Sequence, residues 1–458
     1  MHKEVRLVIM AYVKSLSTIF RVGRGLFYKE GRKLKNWFQL KERKTTVRQE
    51  LLAGFIAFFT IVYIVVVNAT ILSDAGIPIE AGILATVFSA AFGCLLMGLM
   101  ANTPIIVVPG MGVNALFTYT IVESMGLSWQ EGLAVVFLSG VLFIIIAFTK
   151  LAYIISNAIP DSLKHAITVG IGIFLTFIGL QKGGIVVANS ETFVALGDLA
   201  DPQVLTTLLT LLVTVVLFAR RFPGNFLFSM MFGVIIASFF GLINWENAEG
   251  SLSFHEYSNV FLGLSFDRIG DIVFWTAIFS LTMVIVFENI GLVYGYVDMI
   301  GQKKSYQKAL QANAISALSC GIFGSSPTVS TAETAAAITA GGRTGITSIT
   351  TGILFFLSLF FLPYIKLVPD SAIAPILILI GALMVQSIQH INLKDFTESF
   401  PAFLIIAMIP LTYSIVDGMA FGFIAYPIIK LFMKRSREIK IPLYIIAFLF
   451  LINFVFHT

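Results

Sequence analysis

The sequence predicts an all-α polytopic membrane fold of about 14 transmembrane segments, set out as two inverted seven-span repeats. Three observations carry that prediction. First, 57% of the 458 residues are hydrophobic and 12% are charged, with a mean hydropathy of +0.92. A soluble domain of this length does not need so much apolar surface, whereas a chain threaded repeatedly through lipid does. Second, apolar runs of about 20 residues recur, separated by short polar breaks, and that length crosses a bilayer. Third, positive charge collects on one side. Thirteen of the 30 Lys and Arg lie in residues 1–50, and Lys150, Lys164, Arg220, Arg221, Lys303, Lys304, Lys430, Lys434, Arg435, Arg437 and Lys440 fall on the same side in this layout.

The elements follow in order. Residues 1–50 form a basic tail, cytoplasmic by the positive-inside rule. Within it, Leu7, Val8, Met10, Tyr12 and Val13 interleave with Arg6, Lys14, Arg21 and Arg24 over Val5 to Lys29, a pattern suited to an amphipathic helix on the inner membrane surface. The first repeat covers 51–243, with spans near 51–73, 80–101, 105–122, 128–148, 165–182, 203–219 and 224–243. An extracytoplasmic loop at 244–270 carries Glu246, Glu249, Glu256 and Asp267 against Arg268. The second repeat covers 271–434, with spans near 271–296, 305–323, 324–341, 345–362, 371–389, 397–415 and 416–434. Residues 435–458 supply a loop and an apolar run at 441–457, read as a fifteenth span or a helix at the interface. Seven spans on each side of the long loop give the halves opposite orientation. No cleavable signal peptide precedes the apolar run at Leu51.

The halves also share their defects. Segment three contains PGMGVNALFTY, Pro109 to Tyr119, and segment ten contains SSPTVSTAETAAAITAGGRTG, Ser325 to Gly345. Both are broken by Gly, Pro or hydroxyl residues. Matched interruptions in matched positions point to a transport site at the bilayer midplane.

Carboxylates within the spans are scarce. Glu333 lies in the broken tenth segment and Glu288 in the eighth, flanked by Met283, Val284, Ile285, Val286 and Phe287. An ionisable group at membrane depth is costly and marks a functional site by default. Two carboxylates sharing one cavity favour keeping a proton on one of them, and they suit a planar ligand bearing N–H donors. A buried glutamate hydrogen-bonded to a neighbouring helix is the plain alternative for either. Asn68 and Asn114 lie at midplane depth, either to bind ligand or to bond helices together. Gly110 and Gly112 let backbone approach a ligand closely, and Phe117, Tyr119 and Phe287 are aromatic candidates for stacking on a ring. Asp417, Glu398, Glu80 and Asp370 sit at segment ends and read as solvated. Cys94 and Cys320 fall inside apolar segments and read as core residues; the five histidines show no ligand spacing, so no metal or cofactor is expected. No nucleophilic triad, nucleotide phosphate loop or zinc motif occurs, which argues against an enzyme, and the basic charge is read as topology and lipid attraction rather than nucleic-acid binding.

The strings TTVRQELLAGFIAFFTIVYIVVVN, PGMGVNALFTY, AETAAAITAGGRTGITSITTGILFFLSLFF and PAFLIIAMIPLTYSI carry a resemblance. From about Thr45 to Met433 the chain resembles the nucleobase:cation symporter superfamily of purine, xanthine and uracil permeases, most of it the hypoxanthine/guanine/adenine branch. The resemblance implies a core domain of spans 1–4 and 8–11, a gate domain of spans 5–7 and 12–14, and a homodimer formed through the gate. It implies import of a nucleobase with a proton, bound between segments three and ten and facing segment eight. Glu333 matches the tenth-span carboxylate that holds the base, and Asn114 the third-span asparagine of the purine branch. Glu288 would contact the base and carry the coupling proton. Phe287, Gly112, Val113, Asn114, Ser326, Thr328 and Asn68 would complete the site. Segment eight departs from the purine pattern Asp-x-Phe-Asp-Thr-x-Gly: Ile285 stands at the first Asp and Glu288 at the second, closer to the uracil/xanthine branch, as is GSSP from Gly324 to Pro327. Leu292 replaces a histidine of some of those proteins, and Ala69 follows Asn68 where the purine branch has Pro. The expectation is a proton-coupled purine importer, with a uracil or xanthine permease, an anion carrier of the same fold, and a non-transporting membrane receptor or scaffold as alternatives.

Overall fold

The computed structural model describes residues 37–152, 158–243 and 254–457. The amphipathic helix expected at Val5 to Lys29 lies outside them, as do residues 244–253 of the long loop.

In the first half, α1 (Val47–Ile61) and α2 (Ile64–Asp74) run on as one rod. They are followed by α3 (Ile79–Leu96) with a π-helical end at Met97–Ala101, β1 (Val107–Pro109), and α4 (Met111–Ala115), extended by a π-helical stretch at Leu116–Ser124. Next come α5 (Trp129–Phe148), α6 (Asp161–Lys182), the hairpin β2–β3 (Val186–Asn189, Phe193–Leu196), α7 (Pro202–Ala219) and α8 (Asn225–Phe239). The second half holds α9 (Phe254–Val260), α10 (Ile272–Met299), α11 (Tyr306–Phe323), β4 (Thr328–Ser330), α12 (Thr334–Thr339), α13 (Gly345–Ser358), α14 (Leu362–Ile365), α15 (Asp370–Val385), α16 (Phe396–Thr412), α17 (Ile415–Phe432) and α18 (Ile441–His457).

Local chemistry sets the helix starts. The Thr46 hydroxyl accepts the Gln49 N–H at the head of α1, Ser128 and Glu131 make a reciprocal capping box on α5, and Asp201 caps α7 just before Pro202. Eight helices among the described residues are long and apolar enough to cross a membrane, and four shorter apolar ones accompany them. Three expected segments are not among these twelve, for two reasons. Segments three and ten are strand, turn and short helix rather than rods, and α11 buries Asn313, Ser316 and Ser319 among its apolar residues. The expected loop at 244–270 includes a structured piece. Tyr257 of α9 packs on Phe88 with ring centroids 5.3 Å apart, and the Leu262 N–H donates to the Ile322 carbonyl at 2.9 Å. The β2–β3 hairpin had no counterpart in the sequence reading.

The long helices pack in two sets. In one, α13 lies on α1 and α3, α2 on α3, and α11 and α10 on α5. In the other, α15 and α16 lie on α6, α16 on α17, and α7 and α8 on α15. Small residues allow the tightest crossings: a Cβ at Gly345 would fall 2.1 Å from the Gly98 carbonyl oxygen, so side chains are excluded where α13 meets the end of α3. α18 packs on α17 and α10, with Phe450 against both Phe279 and Phe423.

Candidate substrate site

The two broken segments meet as a pair of three-residue antiparallel strands. Val107 lies opposite Ser330, Val108 opposite Val329 and Pro109 opposite Thr328. The ladder extends through Gly110 N–H to the Pro327 carbonyl and Thr331 N–H to the Ile106 carbonyl, both at 3.3 Å. The Ile106 N–H finds the Thr334 hydroxyl at 3.0 Å, so irregular backbone at this depth remains hydrogen-bonded inside protein. A Cβ on Gly110 would sit 2.4 Å from Val329 Cγ2, which explains the glycine at this strand-to-helix turn. Short helices then leave the crossing, α4 directly after Gly110 and α12 directly after Glu333.

Neighbouring helices fix the strands through buried polar groups. Asn289 of α10 accepts the Ser330 N–H at 2.9 Å and an amide N–H of Asn313, and it donates to the Ile285 carbonyl at 2.8 Å. Asn313 of α11 also reaches the Ser330 hydroxyl at 2.9 Å. Ser316 and Thr328 share a hydrogen bond at 2.6 Å, and Cys94 donates to the Val107 carbonyl at 3.3 Å. Both cysteines are buried free thiols.

The expected site residues divide by what their side chains already bind. Asn68 is fully committed: its amide donates to Thr86 at 2.7 Å and Ser325 at 3.2 Å, and its carbonyl accepts from Ser326 at 3.0 Å. Ser326 and Thr328 therefore hold helices together through their hydroxyls. Glu333 is half-buried and accepts the Tyr63 hydroxyl at 2.7 Å. Glu288 is half-buried and has no hydrogen-bond or ion-pair partner among the described residues. Asn114 is wholly buried, with neither its carbonyl oxygen nor its amide nitrogen bonded. Gly112 and Val113 are buried, a Cβ on Gly112 would meet Ile171 of α6 at 3.0 Å, and Phe287 is partly buried against the main core. Tyr296, about two turns beyond Glu288 on α10, lies within electrostatic reach of both Glu288 and Glu333.

Sequence reasoning missed Tyr63, Asn289 and Asn313. Tyr63 lies in the first apolar segment, and only the fold brings it to Glu333, 270 positions away. It also misread Glu398 as solvated. That carboxylate accepts Tyr426 at 2.6 Å and pairs at 2.8 Å with Lys430, whose side chain is 0% exposed. Glu80 pairs with Lys366, and Asp370 lies 3.6 Å from Lys182.

Two broken segments paired as strands within a polytopic helical protein, with the carboxylate of Glu333 where one of them turns into a short helix, define the class as a membrane carrier. Residues 48–421 match the family described as Permease family, the xanthine/uracil permeases. The chain belongs to that family, within the nucleobase:cation symporter group and its purine branch, and is a permease rather than an enzyme. It is 49% identical over 381 residues to the nucleobase transporter PlAzg2 of Paenibacillus larvae, covering 83% of this chain and 76% of the relative. It is 39% identical over 428 residues to the guanine/hypoxanthine permease PbuO of Bacillus subtilis, covering 91% and 99%. Among solved structures, the transmembrane domain of the cyanobacterial bicarbonate transporter BicA aligns with a TM-score of 0.60 at 15% identity, over 82% of this chain and 97% of that one. SLC26A9 aligns with a TM-score of 0.62 at 14% identity, over 86% and 66%. These two likenesses bear on the fold.

Proposed function

We propose that this permease imports a nucleobase, a purine such as hypoxanthine, guanine or adenine, by proton symport. The observation that carries the reading is the unsatisfied polarity at the strand crossing. Asn114 offers a buried donor and acceptor, Glu288 a carboxylate without a partner among the described residues, and Glu333 a carboxylate oriented by Tyr63. Buried polar groups without partners are costly, so such a set suits a ligand that completes it. A planar base with adjacent ring N–H and carbonyl or ring nitrogen atoms matches an amide and carboxylates. In this reading Glu333 accepts from ring N–H groups, Glu288 contacts the base and holds the coupling proton, and backbone at 112–114 and 326–328 closes the cradle. Asn68 then acts on the site through Ser325 and Ser326. The relatives, a nucleobase transporter and a guanine/hypoxanthine permease, support the substrate class.

The rest of the reading extends what the family resemblance implies. Fourteen spans form two inverted repeats; the set around α1–α5 and α10–α13 is the core, the set around α6–α8 and α15–α17 the gate. The core moves against the gate in an elevator-like alternating-access cycle. The protein sits in the cell membrane with the basic tail in the cytoplasm, as a homodimer through the gate. The solved neighbours include a bicarbonate transporter, but two carboxylates at the crossing oppose an anion. Arg343, the cation at the segment end, donates to the Ile338 and Gly342 carbonyls.

Radiolabelled uptake in a bacterium lacking its own nucleobase carriers tests the proposal. Native protein should accumulate a purine, and Glu333→Gln should abolish that accumulation. Wild-type uptake of every base tried by Glu333→Gln would refute the site, and saturable binding without counterflow in liposomes would make the protein a receptor.

A further inference from the structure

The two helix sets are joined unequally at their two ends. Among the described residues, the hydrogen bonds and ion pairs that tie one set to the other lie at the end opposite the basic loops. There Lys182, the last residue of α6, reaches Asp74, the last residue of α2, with its ammonium 2.8 and 3.0 Å from the two carboxylate oxygens. Asp370, at the start of α15, lies 3.6 Å from the same ammonium. Asp74 also accepts the Tyr119 hydroxyl at 2.7 Å, and Tyr119 packs edge-on against Tyr413 and Phe174 of the opposing set, with centroids 5.7 and 6.0 Å apart. One residue on, the Thr120 hydroxyl accepts the Ile415 N–H at 3.0 Å. Lys182 is only 13% exposed, so bulk water screens this pair less than a surface one.

The opposite end differs. From the half-buried Glu288 toward the basic end of α10, Gly291 and Gly295 are exposed, and a Cβ at either would meet nothing within 4 Å. An open face thus runs from the carboxylate to that end, while the other end is shut by charge and aromatic rings.

We infer that Asp74, Lys182 and Asp370, with Tyr119 as the wedge beneath them, form a latch that holds the extracytoplasmic passage closed in the state seen here. Its release is the step that exposes the strand crossing to the outside. The inference rests on the carrier reading above, since a latch between sets has a purpose only if the sets move.

The test uses full-length protein in membranes with a reporter Ile171→Cys, a site buried at the seam facing Gly112; the native thiols Cys94 and Cys320 are buried. An impermeant maleimide is applied from the extracytoplasmic side. Adding Lys182→Gln or Asp74→Asn should raise the labelling rate about fivefold, the population shift expected from losing one ion pair of this kind. An unchanged rate in both variants, with melting temperatures like the native protein's, would overturn the latch. As a second arm, Asp74→Cys with Lys182→Cys is bridged by a short bifunctional thiol reagent. Bridging should stop uptake while reporter labelling stays low; uptake that survives bridging would overturn the proposal. Labelling needs no substrate, so its failure refutes the latch alone, whereas native protein that moves no nucleobase refutes the carrier reading alone.

Discussion

Glu50 and Glu288 are both carboxylates on long helices of the same set, and they live in opposite circumstances. Glu50 is fully buried in the first turn of α1, where its oxygens accept the Arg343 N–H at 2.9 Å, the Thr344 N–H at 3.1 Å and the Thr347 hydroxyl at 2.6 Å. It supplies the acceptors that the head of α13 needs, a cap delivered from another helix. Glu288 sits in mid-helix with no partner among the described residues. A satisfied buried carboxylate holds structure, whereas an unsatisfied one at membrane depth is retained at a cost in stability and is available for a ligand or a proton.

The largest expected effect tests the structural half. Glu50→Ala strands two backbone N–H groups and a hydroxyl, which should cost about 3 kcal/mol or more. Yield of monodisperse protein and the melting temperature in detergent should fall sharply, with uptake lost in proportion to folded protein. A variant that melts like the native protein would dissolve the contrast.

Glu288→Gln should behave in the opposite way. Removing a charge that no described residue compensates leaves the melting temperature level or higher, while losing a charge-assisted contact to substrate or proton lowers concentrative uptake roughly tenfold or more. A melting temperature that drops as far as in Glu50→Ala would make Glu288 a structural residue and break the comparison from the other side.

The sequence showed one member of this pair and concealed the other. Glu288 was visible because apolar residues surround it on both sides. Glu50 was not, because it lies one residue before the apolar run that begins at Leu51, and its acceptors are needed by residues about 293 positions away. The same logic separates the rest. The breaks in segments three and ten were legible as Gly, Pro and hydroxyl clusters, yet their pairing as strands was not, since three-residue strands leave no periodicity to read. Asn289, beside Glu288, anchors β4, and nothing local distinguishes an asparagine that bonds a strand from one that bonds lipid-side water. Lys430 was counted as a topological charge, but it lies buried between Glu398 and Glu438 at 2.8 and 2.7 Å, an arrangement set by the packing of α16 on α17.

Asp395 sharpens the contrast from the solvated side, with the smallest expected effect. It caps α16, accepts the Thr397 N–H at 3.0 Å and hydroxyl at 2.8 Å, and pairs with Arg435 at 2.7 Å. The Arg435 guanidinium, helped by the Thr397 hydroxyl, pulls its carboxyl down to about 2. Its folded value therefore lies below the ordinary aspartate value of about 3.9, so its stabilisation is complete above about pH 4 and is lost as pH falls toward 2. Because water screens this pair, Asp395→Asn should lower the melting temperature by only about 1 °C. That small deficit should stay constant from pH 8 to pH 5 and narrow only below about pH 4. A deficit that instead changed between pH 5 and pH 8 would mean that another titrating group shares the Arg435 contact. A deficit as large as that of Glu50→Ala would mean that exposure does not separate structural carboxylates by strength, and the ranking that sets Glu50 apart would fail.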